Sequence, residues 1–68
     1  MSEEPSNSMD TSNYQFVGVY NDSISVMFPK LVMSGDEALL HAAWLVTLAE
    51  IMPTTFTFEE VLRAVRAT

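Results

Sequence analysis

Apolar residues gather first in two short runs, "YQFVGVY" at residues 14–20 and "ISVMF" at 24–28, separated by "NDS". Both runs are rich in β-branched and aromatic residues, and Asn21-Asp22 tolerates the positive φ that tight hairpin turns demand. The spacing predicts a β-hairpin. Alternation places Tyr14, Phe16, Gly18 and Tyr20 on one face of the first strand, opposite Gln15, Val17 and Val19. In the second strand Ile24, Val26 and Phe28 oppose Ser25 and Met27. Gly18 inside the first run suggests a bulge or a close backbone approach, and Pro29, which has no N–H for a ladder, marks a strand end or an edge. A two-stranded hairpin is marginal alone and must pack on something.

The pattern then changes period. In "MSGDEALL", Ser34 followed three residues later by Glu37 makes a capping box with Ser34 as N-cap, and Asp36 and Glu37 suit the positive end of a helix dipole. A first helix is predicted over 35–52, stopped by Pro53. A second box follows in "FTFEEV", with Thr57 as N-cap, Glu60 at the third helical position and Phe56 placed to staple against Val61. That helix carries Phe58, Val61, Leu62 and Val65 at i, i+3, i+4 and i+7, a single apolar stripe. Glu59 and Arg63 stand four apart as a candidate ion pair, and Arg63 and Arg66 lie at the favourable C-terminal end. The first 13 residues, "MSEEPSNSMDTSN", show no hydrophobic period and cannot offset their own ordering entropy. The expected architecture is α+β: a flexible polar tail at 1–13, then one ββαα domain at 14–68.

The first helix is apolar on more than one side. Stepping about 100° per residue groups Ala38, Leu39, Ala42, Leu45, Val46 and Ala49 on one face, and Leu40, Trp44, Leu48 and Ile51 on another. Asp36, Thr47 and Glu50 run along one seam between them, Glu37 and His41 near the other. One hairpin and one short helix offer cover for both faces within a single chain. Against that, the hairpin and the stripe of the second helix also need cover, and a helix that is hydrophobic all round belongs in the core of a much larger protein. Leaving four large side chains wet forfeits roughly 1.5–3 kcal/mol each, comparable to the whole stability of a small domain at about 5 kcal/mol. The expectation is a homodimer with Leu40, Trp44, Leu48 and Ile51 as the candidate dimer or partner interface, closed by a two-fold axis. Hairpin edges joined between chains would serve the same need, so the dimer is expected to be either intertwined or helix-packed.

Composition sharpens this. At 68 residues and without cysteine, the chain is one domain at most and has no disulfide to staple it. Such chains lean on a disulfide, a metal or a partner. His41 is the single histidine, so no zinc set is expected and neither is a cofactor. With 3 basic against 9 acidic residues, a net charge of −6, neither nucleic acid nor an anionic membrane is an expected partner. No basic and apolar leader is seen, and the run 38–52 is shorter than a bilayer span. These features point to a soluble, cytoplasmic protein.

Catalytic chemistry finds only poor candidates. His41 with Glu37 four residues before it reads as a solvated or rim histidine beside a carboxylate. Glu59-Glu60 is explained by the helix N-terminus and its capping box. No nucleophile–base set or glycine-rich phosphate loop occurs, and the chain holds 2 glycines. The methionines at 27, 33 and 52 read as flexible core filler. No enzymatic activity is expected.

The segments "GDEALLHAAWLVTLAE" and "FEEVLRAVRAT" resemble the C-terminal half of small accessory proteins encoded by actinobacteriophages, of the mycobacteriophage type. There a hydrophobic strand precedes a similar helix and a short terminal helix. The resemblance extends over 17–68 and leaves out the tail. It implies a viral protein in the cytoplasm of the infected bacterium, generally without an assigned activity, and it carries over no catalytic residues. The expected function is therefore that of a non-enzymatic, homodimeric protein binding or modulating a host or phage protein. The alternatives are a small helix-turn-helix-like regulator, for which Arg63 and Arg66 are a poor recognition set behind Glu59 and Glu60, and an acidic mimic of DNA.

Overall fold

The computed structural model describes residues 9–68. Its elements run β1 (Val17–Tyr20), β2 (Ser23–Val26), α1 (Gly35–Ala49) and α2 (Phe58–Arg66). This is the expected ββαα order, with shorter strands than the apolar runs suggested. β1 and β2 pair antiparallel in the register Val17↔Val26, Gly18↔Ser25, Val19↔Ile24 and Tyr20↔Ser23. The loop is just Asn21-Asp22, with φ of 51° and 60°. Positive φ at both central residues is the signature of a type I′ turn, whose twist matches that of the strands it joins. Ser23 therefore belongs to β2 and not to the loop.

The register sets Val17, Val19, Ile24 and Val26 on one face of the hairpin. Val17 is 5 % exposed, and Ile24 and Val26 are half-buried, whereas Tyr20 on the other face is well exposed. The Val/Ile face is thus covered at its Val17–Val26 end, while Val19 beside the turn stays exposed. The irregularity expected at Gly18 lies two residues earlier. Phe16 has φ 51°, a left-handed conformation that breaks the alternation, so β1 begins only at Val17. Gly18 itself has no positive φ, and a Cβ built on it meets nothing within 4 Å. Past the break the chains stay joined: the Met27 N–H donates to the Phe16 carbonyl at 3.3 Å and the Phe28 N–H to the Gln15 carbonyl at 3.2 Å. The Phe16 and Phe28 rings meet edge to face at 5.1 Å.

Both capping boxes form. The Glu37 N–H donates to Ser34 Oγ at 3.1 Å and the Ser34 N–H to Glu37 Oε1 at 2.8 Å. The Glu60 N–H donates to Thr57 Oγ1 at 3.1 Å and the Thr57 N–H to Glu60 Oε1 at 2.8 Å. α1 closes at Ala49, three residues short of the expected end. Were the helix to continue, the proline ring at 53 would collide with the carbonyl four residues back, at Ala49, and Met52 before it is disfavoured in the helical region. The chain leaves by a tightened turn, with Ile51 N–H on the Leu48 carbonyl at 3.3 Å and Met52 N–H on that of Ala49 at 3.1 Å.

α1 lies against both strands, whereas α2 makes no comparable contact with the hairpin or with α1. The radius of gyration is 14.3 Å, against roughly 11 Å for a compact chain of this length. Val17 is the one buried hydrophobic residue among those described.

Candidate functional site

Coverage of the first helix draws on both faces expected from the sequence, with Leu40 from one and Val46 and Ala49 from the other half-buried. His41, Trp44, Leu45, Leu48 and Met52 are half-buried, and spacings of three and four residues align them along one side. That side is the seam between the two apolar faces. The consequence is a split of the candidate interface: Leu40, Trp44 and Leu48 are each partly covered, while Ile51, past the helix end, is 75 % exposed. Leu39 and Ala42, from the opposite face, also stand open. His41, read from the sequence as a rim residue, sits instead in the packed strip, with Nδ1 buried and no hydrogen-bond partner.

Trp44 is tied down by a segment that the sequence places in the tail. Its indole N–H donates to the Thr11 carbonyl at 3.0 Å. Two positions on, the Asn13 side chain bonds Val17 twice: Oδ1 accepts the Val17 N–H and Nδ2 donates to the Val17 carbonyl, both at 2.9 Å. In an antiparallel ladder alternate residues turn both polar groups outward, and Val17 is such a residue on the outer edge of β1. Asn13 satisfies there what a neighbouring strand would satisfy, and so covers an edge that could otherwise recruit another chain. The Asp10 carboxylate accepts from the Tyr14 hydroxyl and from the Ser12 N–H at 3.0 Å. These bonds, the Tyr14 hydroxyl foremost, hold the Asp10 carboxyl down at about 2, and the same carboxylate raises the Tyr14 phenol above its ordinary value. Residues 10–13 are thereby bonded to the domain, while 1–8 of the expected tail lie outside the described residues.

Between this N-terminal segment and α1 runs an open groove bordered by Thr11, Asn13, Val17, Leu40, His41 and Trp44. Lys30 and Glu37, joined as an ion pair, border it as well. The Lys30 ammonium, helped by the Ser34 N–H, lowers the Glu37 carboxyl below the usual carboxylate range. This is the ion pair found among the described residues, so the expected Glu59–Arg63 pair does not form. Exposed pairs of that kind gain little in water.

α2 presents the more continuous apolar surface. Phe58, Val61 and Val65 are exposed, Val65 at 63 %, and Leu62 is half-covered. Phe56 and Val61, the expected staple, border one shallow depression on this side. Among the described residues no group of three or more His, Asp or Glu stands close enough to hold a metal ion. No helix there is long and apolar enough to cross a membrane. Comparison with protein-family models, with curated proteins and with solved structures finds no match to this chain.

Proposed function

We propose that this chain is a small non-enzymatic accessory protein of the phage type that acts by protein–protein contact, as a homodimer binding or modulating a host or phage protein in the bacterial cytoplasm. The observation that carries the reading is a deficit of burial. In a chain that is 49 % hydrophobic, Val17 alone among the described residues is buried. Ordering the backbone costs about 1–2 kcal/mol per residue, and complete burial of one such side chain returns roughly 1.5–3 kcal/mol. The half-buried residues of α1 add to that return, but α2 and the outer sides of α1 contribute almost nothing while they face water. A protein surface laid over them would supply the missing burial.

Sedimentation velocity at tens of micromolar tests the first half of the reading. The expected species has twice the chain mass of 7.6 kDa, and a well-folded particle of single mass contradicts it. Affinity capture from host lysate on the purified dimer tests the second half. A stoichiometric complex with one protein is the expected outcome, and repeated recovery of the dimer alone removes the modulating role.

A further inference from the structure

We infer that two copies of this chain pair through α2, antiparallel about a two-fold axis close to Leu62, with Glu59 of each copy against Arg66 of the other. The inference rests on the homodimer reading above and says which surface closes it. Its warrant is charge. The chain carries 3 basic residues against 9 acidic ones, and Lys30 is committed to Glu37. The two remaining cations, Arg63 and Arg66, both lie in the last turns of α2, and Glu59 and Glu60 in its first. α2 is therefore acidic at one end, basic at the other and balanced as a whole.

α1 differs. From Gly35 to Ala49 it holds Asp36 and Glu37, has no basic residue in its last turn, and is capped by Glu50. Laying two such helices together about a two-fold axis brings Asp36 and Glu50 carboxylates toward carboxylates, and the one cation near them, Lys30, is already paired with Glu37. The β1 edge of the hairpin is a poorer choice still, because Asn13 already occupies the outward polar groups of Val17 there.

The geometry of α2 makes the pairing specific. At about 100° per residue, Phe58, Val61, Leu62 and Val65 form one stripe, with Glu59 and Arg66 on the same edge of it and Arg63 further round toward solvent. A two-fold axis perpendicular to the helices keeps like edges on the same side, so this edge of one copy lies beside the same edge of the other. Antiparallel pairing then sets position 59 opposite position 66 twice, while a parallel pair carries the two Glu59/Arg66 edges to opposite sides of the interface and leaves neither charge facing its opposite. The four stripe residues meet across the axis, and the exposed Phe56 ring lies just before the helix to cover one end of them.

The test is a charge-swap cycle on the full chain, reading the dimer dissociation constant by sedimentation equilibrium at low salt. Glu59→Arg and Arg66→Glu each place like charges together twice per dimer, and each should weaken pairing about tenfold, the change that corresponds to about 1.4 kcal/mol. The double variant E59R/R66E restores opposite charges and should return to within about threefold of wild type, a rescue that loss of folding would not produce. Single reversals without effect, or a double variant weaker than either single, overturn the α2 interface while leaving a homodimer formed elsewhere. A wild-type chain that is monomeric throughout overturns the homodimer reading and this inference with it.

Discussion

The indole N–H of Trp44 donates to the Thr11 carbonyl at 3.0 Å, joining residues 33 positions apart. This bond anchors the N-terminal segment across the middle of α1 and makes Trp44 part of the intramolecular packing. Replacing the indole by Phe keeps a ring on the helix but removes the donor. Trp44→Phe should cost about 1 kcal/mol in urea unfolding followed by circular dichroism, with amide exchange accelerating at residues 11–17 before it does in α2.

Asn13 has a larger share in the fold than its exposed surroundings suggest, because it serves both polar groups of Val17, the most buried residue described. Asn13→Ala leaves a buried N–H and carbonyl without partners and should cost about 1–2 kcal/mol. Asn13→Asp keeps the acceptor and replaces the donor by an oxygen facing the Val17 carbonyl, so it should recover only part of that loss. Equal stability of all three proteins in urea would remove Asn13 from the edge of the sheet.

Asp10 and Tyr14 give stability a dependence on pH at both ends. The Asp10 carboxyl, held at about 2 against an ordinary 3.8, favours the folded state above pH 4, and this contribution fades as pH falls from there toward 2. The Tyr14 phenol is raised, so its contribution is intact below pH 10 and fades as pH climbs through and beyond that value. Tyr14→Phe removes the chief cause of both shifts. Its unfolding midpoint, measured from pH 2 to 11, should vary less than that of wild type at both extremes.

Two positions in the hairpin are open to improvement. Gly18 has ordinary strand φ and free space for a Cβ, so Gly18→Ala should stabilise by about 0.5 kcal/mol through a less flexible unfolded chain. Asp22 sits at φ 60° in the type I′ turn, where glycine carries no Cβ penalty, and Asp22→Gly should add about 0.5–1 kcal/mol. Thermal unfolding of each variant gives the comparison, and a lowered midpoint for Gly18→Ala would mean that the strand needs the missing side chain.

The parts of this fold that were legible in the sequence are those whose causes are local. Ser34 with Glu37 and Thr57 with Glu60 complete their boxes within one turn, and Asn21-Asp22 turns the chain on its own conformational preferences. Causes that act over distance were hidden. Nothing in "YQFVGVY" marks Phe16 for a left-handed φ, which is stabilised by bonds to Asn13 and Met27. The Thr11–Trp44 bond is invisible for the same reason. The two apolar faces of α1 could be counted from spacing, but not which seam would turn inward, and so His41 was placed at the rim when its Nδ1 is buried. Pro53 marked the end of α1 without showing that the helix would already close at Ala49. The α2 stripe was plain in sequence, and that it lies open follows only from where the second helix is carried.

The central claim is that burial missing from one chain is completed by a second, so that folding and association are linked. Stability of such a protein depends on its concentration, because dilution favours the unfolded single chains. The direct measurement is the urea midpoint, followed by circular dichroism over a hundredfold range of protein concentration. A midpoint that climbs steadily with concentration is the predicted result; one that stays fixed, with a cooperative transition at every concentration, would contradict it.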